Sequence, residues 1–492
     1  MKTVTKVQPY DSFNLTSVKK RFDKTNKPNE KVFLKKTKWD EIKEVFLEWS
    51  FRSNLDCFVK IFEYKDNPFA KYLWIIILVL LSGITFWSIV KIIFEYFNYE
   101  VVSKFTVTYE NPTKFPTITI CNNNPFTTNN SQILFETIAK TANLSPYDPN
   151  VFRFAKMKAS SPTLNEEKKR ALGFDLPNKL MTCLFGGQEC NASDFKWYWS
   201  FDYGNCWQFN SGFSKLTNSK IEIANGQSGI EFGLQMAIYP LENKNKYPST
   251  SDMGLVVFVH NNTFRPLRSD SIFIKPSEKT HILVKRIFTH KVPFPYSECR
   301  DLNGYSSRLY DFILSNNRTY RQQDCVYLCF QEISIEKCGC IFSAFEDTAP
   351  NIKFCMNKTE GFCFKDLYFS FRPDECVTNS CPLECDSVEY SVEVSSLSSP
   401  SIQGFNCFFK DSETNRGLTY DLYKSQMVQL NIYYSSLHYT TISESVKITG
   451  FELFSQIGGT LGCFVSLSLF TLFEFIEIFI LILNVCFFKS RK

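Results

Sequence analysis

Two stretches of this chain are too long and too apolar to lie open in water, and they constrain everything between them. Tyr72–Val90 holds no charged residue, and Leu453–Phe473 is a second uncharged run of similar length. About 20 such residues cover the hydrocarbon core of a bilayer. The 492-residue chain therefore reads as a two-span membrane protein. It is 16% aromatic, with 50 phenylalanines, enough to build a sizeable core between the spans. Its net charge of +5 is no nucleic-acid signature. The opening 70 residues are polar and lysine-rich, so no signal peptide is expected and the first span should act as its own insertion signal.

Charge orients the spans. Residues 1–71 carry 16 Lys/Arg against 10 Asp/Glu, and the chain ends Lys489, Ser490, Arg491, Lys492. Loops rich in Lys and Arg stay in the cytosol. This predicts a multi-pass plasma-membrane protein with both termini cytoplasmic. Its parts would be an N-terminus (1–71), a first transmembrane helix (72–96), an extracellular region (97–449), a second transmembrane segment (450–488) and a tail (489–492). Of the 18 cysteines, 15 fall between the spans and only Cys57 precedes them, as an oxidising outer compartment would require. Glycosylation is expected at six Asn-x-Ser/Thr sites in the same region: Asn129, Asn143, Asn191, Asn261, Asn317 and Asn357. Asn14 has the pattern on the cytosolic side and should stay unused.

The outer region reads as one disulfide-rich α+β domain. Lys104–Tyr109 alternates, Phe115–Cys121 is β-branched, and Gly229–Tyr239 and Leu255–His260 are β-rich. Ser306–Ser315 and Arg318–Glu336 carry the apolar stripe of helices, which puts Cys325 and Cys329 on one face. Nine cysteines crowd Cys325–Cys385. None has a histidine at zinc-finger spacing, so a structural disulfide array is expected there, with no metal and no cofactor. Cys338 and Cys340 are too close to pair with each other comfortably, and spacing alone cannot assign partners. Fifteen is odd, so one thiol is left over. No phosphate loop or nucleophile constellation suggests an enzyme. His260, His281, His290 and His438 look scattered and structural or exposed.

From Leu453 to Phe488 only Glu474 and Glu477 are charged. One straight helix over that segment would be about 54 Å long, against a hydrocarbon core of about 30 Å. Steep tilt or a break should absorb the excess, with Gly458-Gly459, Gly462, Ser466 and Ser468 as natural break points. A carboxylate at the bilayer centre costs on the order of 3 kcal/mol. Interfacial placement would avoid that cost. An aqueous ion path would avoid it too, as a cation-attracting ring. Ser468, Thr471, Glu474 and Glu477 step by three, about 60° of rotation each. All four can line one path only if the helix breaks or subunits share the path. Two spans cannot enclose a pore alone, so the chain must oligomerise.

Five blocks carry a resemblance to the degenerin, epithelial sodium channel and acid-sensing channel family. Phe115-Pro-Thr-Ile-Thr-Ile-Cys-Asn122 with Asn124-Pro-Phe126 looks like the signature after the first span. Gly204-Asn-Cys-Trp-Gln-Phe-Asn210 resembles the Gly-x-Cys-(aromatic)-x-Phe-Asn strand. Pro295-Tyr-Ser-Glu-Cys299 and the run Cys325–Cys340 resemble the thumb, and Gly458–Glu474 resembles the pore helix. They run in family order over residues 51–480.

The resemblance implies a trimer whose outer domain has palm, thumb, finger, knuckle and β-ball parts. It implies a disulfide ladder of Cys121–Cys206, Cys183–Cys190, Cys299–Cys385, Cys325–Cys381, Cys329–Cys376, Cys338–Cys363 and Cys340–Cys355, leaving Cys407 over. It places a Gly-Ala-Ser filter on Ser466-Leu467-Ser468, an amiloride-linked position on Gly462 and a gating position on Ser455. Acidic pore residues fall on Glu474 and Glu477, and Tyr296 would couple the thumb to the first span. Three positions depart from the pattern. The His-Gly pair supporting the pore falls on Asp56-Cys57, an outer-mouth aspartate on Gln456, and the filter glycine on Ser466.

The implied function is one subunit of a trimeric, sodium-preferring, amiloride-sensitive channel opened by an extracellular ligand. The ligand is read as a neuropeptide, because peptide-gated members fit the family pattern and the outward-facing domain. Residues 91–259 lack the histidine that acid-sensing members carry after the first span, which counts against proton gating. Partners would be identical or homologous subunits, alike or mixed within one trimer, together with the membrane, sodium ions and the ligand, and no nucleic acid. A proton-gated or a constitutively open or mechanosensitive member is the alternative. An ATP-gated trimer lacks these motifs. A non-conducting membrane-anchored binding protein would have no use for Glu474 and Glu477.

Overall fold

The computed structural model of the chain describes residues 38–487, apart from 53–55, 65–66, 162–163, 213–222, 240, 242–243, 248–249, 342–352, 356–357 and 409–418. The expectations for the cytoplasmic tail and for Asn357 lie outside the described residues. The chain divides into two compact units. One takes the two ends of the chain, up to Phe97 and from Thr449, and the other is Asn98–Ile448.

In chain order, helices α1 (Lys38–Arg52), α2 (Asp56–Glu63) and α3 (Pro68–Phe97) come first. The larger unit opens with strands β1 (Val101–Tyr109), β2 (Thr113–Lys114) and β3 (Thr117–Asn122), then α4 (Asn129–Ala142), α5 (Pro149–Ser160) and α6 (Glu166–Arg170). Strands β4 (Leu180–Phe185), β5 (Gln188–Glu189), β6 (Phe195–Ser200), β7 (Gly204–Phe209), β8 (Ala224–Asn225) and β9 (Leu234–Ile238) follow. Next are β10 (Leu255–His260), β11 (Ile272–Ile274), β12 (Glu278–His290) and β13 (Cys299–Arg300). A helical arm holds α7 (Arg308–Ser315), α8 (Gln322–Cys338), α9 (Lys358–Ser370) and α10 (Pro373–Asn379). The unit ends with β14 (Leu383–Glu384), β15 (Asp386–Ser398), α11 (Ile402–Phe408), α12 (Tyr420–Gln426) and β16 (Val428–Val446); α13 (Gly450–Val465) and α14 (Leu469–Phe487) complete the chain.

Two sheets organise the larger unit. One has the order β15-β12-β16-β9-β4-β5, with β1 also on β16; the other runs β11-β10-β3-β7-β6. Alternate residues of both sheets fill one core: Ile118 and Ile120, Trp207 and Phe209, Leu255 and Val257, Val428, Leu430 and Ile432. This is the period-2 pattern of strands with one face turned inward. In β10 the other face is buried too, Val256 and Phe258 packing with Cys121, Cys206 and Tyr203. The segments entering and leaving this unit pair antiparallel, from Val101 opposite Val446 to Tyr109 opposite His438.

Seven disulfides join Cys121 to Cys206, Cys183 to Cys190, Cys299 to Cys385, Cys325 to Cys381, Cys329 to Cys376, Cys338 to Cys363 and Cys340 to Cys355. Cys407 keeps a free, exposed thiol.

Three expectations need correction. Of Gly229–Tyr239 only Leu234–Ile238 is strand, because Ile230–Phe232 winds into a 3-10 turn after Gly229, whose φ is +106°. Gly233 then admits no side chain, since a Cβ would stand 2.3 Å from the Ile432 carbonyl oxygen. The second helix of the arm starts at Gln322, not Arg318. The long apolar segment does break, between Val465 and Leu469 at the expected Ser466 and Ser468, so the membrane-length apolar helix is Phe470–Phe487 rather than Leu453–Phe473.

Candidate functional site

The broken segment of the helical unit is where backbone geometry is least ordinary. Thr449 starts α13 with a reciprocal cap: Glu452 N–H donates to Thr449 Oγ1 at 3.2 Å, and Thr449 N–H to Glu452 Oε2 at 2.8 Å. The helix runs through Ser455, Gln456, Gly458, Gly459 and Gly462, and ends at Val465. Ser466 then takes a left-handed conformation, φ +59°, which glycine adopts freely and other residues adopt at a cost. The Ser466 and Leu467 amides both donate to the Leu461 carbonyl. A second reciprocal cap starts α14. Ser468 N–H donates to Thr471 Oγ1 at 2.6 Å and Thr471 N–H to Ser468 Oγ at 3.4 Å, with Thr471 fully buried.

Ser466, Leu467, Ser468 and Thr471 therefore form one constellation, a non-helical link between two capped helices. Gly462 adjoins it, for a Cβ there would lie 3.8 Å from the Leu467 carbonyl oxygen. At membrane depth non-helical backbone survives only where protein buries it or water reaches it. Ser455 and Gln456 are exposed on α13. Glu474 is half-buried and Glu477 exposed on α14.

Both glutamates border a cleft of about 350 Å³ with Glu48, Trp49 and Arg52 of α1. The helix packed along α14 is thus α1, while α2 packs along α3 and α13 along α3. Asp56 and Cys57 open α2, and their side chains lie outside the described residues. The part played by α1 escaped the reading of the sequence. Its signal was present: Ile42, Val45, Phe46 and Trp49 follow the i, i+3, i+4, i+7 pattern of an amphipathic helix.

In the larger unit Tyr296 meets Tyr99 edge to face, ring centroids 5.4 Å apart. Tyr99 is the second residue after α3. Asn129, Asn143, Asn191 and Asn317 are exposed and Asn261 is half-buried. A cleft of about 860 Å³ opens where Arg153, Phe201 and Arg268 face Tyr327, Phe330 and Phe371 of the arm. Its aromatic and cationic lining was not anticipated, because residues far apart in sequence build it.

A family model described as amiloride-sensitive sodium channel matches residues 11–478. The epithelial sodium channel subunit gamma of Neoceratodus forsteri is 30% identical over 324 residues, spanning 64% of this chain and 47% of that protein. The epithelial sodium channel subunit beta of Bos taurus is 29% identical over 317 residues, spanning 63% and 48%. The chain spans about half the length of the curated relatives it matches. A solved proton-activated chloride channel gives a TM-score of 0.30 at 8% identity, covering 84% of this chain and 96% of that one, too distant to bear on the fold.

Proposed function

The chain belongs to the amiloride-sensitive sodium channel family, and from that premise we propose that it is one subunit of a trimeric, sodium-preferring cation channel of the plasma membrane. The observation that carries this reading is the capped break at Ser466–Ser468, followed on α14 by Glu474 and Glu477. A break exposes carbonyls that can replace an ion's lost water, and a ring of carboxylates beyond it lowers the barrier for cations and raises it for anions. Three copies supply the enclosure that two spans cannot. Relatives named as subunits of a sodium channel support both the ion and the assembly.

Basic flanks keep both termini in the cytosol, and the seven disulfides and the sequons suit an outward-facing Asn98–Ile448 unit. Gly462 is the position for amiloride block and Ser455 the small residue that lets neighbouring α13 helices close. Tyr296 on Tyr99 couples the outer unit to the chain leaving α3. Opening is by an extracellular peptide.

Reversal potentials in sodium and potassium solutions test the conduction reading. Glu474→Gln should lower unit conductance and sodium preference without loss of surface protein. Ser466→Gly, which suits the left-handed backbone, should bring selectivity nearer that of the relatives. Ser455→Phe should give a standing, amiloride-sensitive current. Reversal potentials identical to the parent's in both Glu474→Gln and Ser466→Gly would mean that neither residue lines the ion path.

A further inference from the structure

Few side chains of the helical unit are buried among its described residues, as expected of helices that face lipid. Those few are Trp49, Ser50, Thr85, Thr471, Ile478 and Val485. Trp49 is by far the largest of them, 7% exposed, and it lies on α1, outside either apolar span. Its indole N–H donates to the backbone carbonyl of Glu474 at 3.0 Å. Its ring packs on Phe475 with centroids 5.4 Å apart, and Phe46 backs it at 6.0 Å. In an α-helix the Glu474 carbonyl is the acceptor for the amide of Ile478. The indole is an additional donor, and it comes from a helix more than 400 residues away in sequence.

This contact has a definite mechanical meaning. A side chain that holds a helix backbone by one directed hydrogen bond fixes rotation about the helix axis as well as position. Here the fixed residue is one of the two that carry charge in the segment. The same α1 face brings Glu48 and Arg52, themselves 2.8 Å apart, to the cleft that Glu474 and Glu477 line. α1 thus holds α14 at the Glu474 backbone and brings two charges to the cleft that the Glu474 side chain lines.

We propose that Trp49 is a positioning residue for ion selection, clamping α14 at Glu474 so that its carboxylate takes a fixed heading. The inference rests on the reading of Glu474 as a pore carboxylate. It also assigns pore support to α1, where the family resemblance alone pointed to Asp56-Cys57. Trp49 need not touch the ion to act in this way.

Full-length channels expressed in oocytes separate the two claims. Trp49→Phe keeps the aromatic contact and deletes the N–H, and should lower the sodium-to-potassium permeability ratio about fivefold, the size of one lost hydrogen bond. Trp39→Ala, on the exposed part of the same helix, should leave the ratio unchanged. In the Glu474→Gln background, Trp49→Phe should add nothing, because the group it positions no longer carries charge. A normal ratio in Trp49→Phe beside an altered one in Glu474→Gln would overturn the clamp and leave the pore reading standing. No change in Glu474→Gln itself would instead remove the pore reading. Should Trp49→Phe reach the surface without current, a Trp49→Cys/Phe475→Cys pair decides by crosslinking with a short bifunctional thiol reagent in native membranes. A crosslink places α1 on α14 and supports the clamp; its absence in surface-expressed protein overturns it.

Discussion

The sheets of the larger unit and its helical arm are built from the same chain by different means. Around the sheets, 24 buried residues form one cluster, and two disulfides lie among those strands. The arm buries eight residues in its main cluster, four of them cysteines, and five disulfides tie it down. Its helices are short, from 7 to 17 residues. Helices of this length are marginal without packing, and a small cluster supplies little of it. Crosslinks offset the shortfall by restricting the unfolded chain. The difference teaches that the arm can be a rigid lever without a large core of its own, which suits a region that carries an aromatic and cationic cleft on its flank.

The largest effect should follow from removing the nested pair Cys325–Cys381 and Cys329–Cys376, which close loops of 56 and 47 residues. With one bridge in place the other closes only a short loop, so a single removal should cost about 3 kcal/mol and both together about 6 kcal/mol. Limited proteolysis of the purified full chain should then cut the arm while the sheets stay protected. Simultaneous loss of both regions would show that they unfold as one.

Trp207→Ala probes the other side of the comparison. Trp207 is 2% exposed at the centre of the sheet cluster, and its indole donates to the Phe174 carbonyl at 3.3 Å. Truncation should cost about 3–5 kcal/mol. Thermal unfolding should fall for the whole unit, in contrast to the local opening expected of the disulfide variants. A drop confined to strands β3, β7 and β10 would break the picture of a shared core.

The two regions also differed in what their residues announced. β-branched residues in β3 and a β-rich run in β10 marked strands directly, and the crowding of cysteines marked a stapled arm, since both signals are local. Which thiol meets which is a long-range fact that spacing does not contain; the ladder came from family resemblance. In the helical unit, apolar length announced the spans, and the candidate break points were Ser466, Ser468 and the glycines Gly458, Gly459 and Gly462. α13 runs through all three, because where water is scarce the backbone keeps its internal hydrogen bonds. The break falls at Ser466–Ser468, among the break points the sequence offered, where the hydroxyls of Ser468 and Thr471 take over freed amides. The amphipathic stripe ending in Trp49 was readable, but its partner at Glu474 was not.

Acid should sharpen the contrast further, because the sheet side holds a buried histidine. His260 closes β10 and is 3% exposed. Burial drives its imidazole down to about 4. The surroundings explain the neutral form: Nδ1 contacts the Asn261 carbonyl at 2.8 Å, which only accepts, so Nδ1 carries the proton. Nε2 is then the acceptor for the Thr119 hydroxyl at 2.7 Å, and that hydroxyl already accepts from Gln208 at 3.2 Å. A second proton on Nε2 would meet a hydroxyl turned the wrong way. An unfolded histidine titrates near 6.5, so below that pH the unfolded chain binds a proton that the folded one refuses. Stability therefore rises with pH through this window, and about 3 kcal/mol should be lost between pH 7 and pH 4. His260→Gln can still accept from Thr119 and has nothing to titrate. It should flatten the pH dependence of thermal unfolding between pH 6.5 and pH 4, and leave the reductant sensitivity of the arm as it was. An undiminished slope in that variant would assign the acid response to carboxylates and remove His260 from the account.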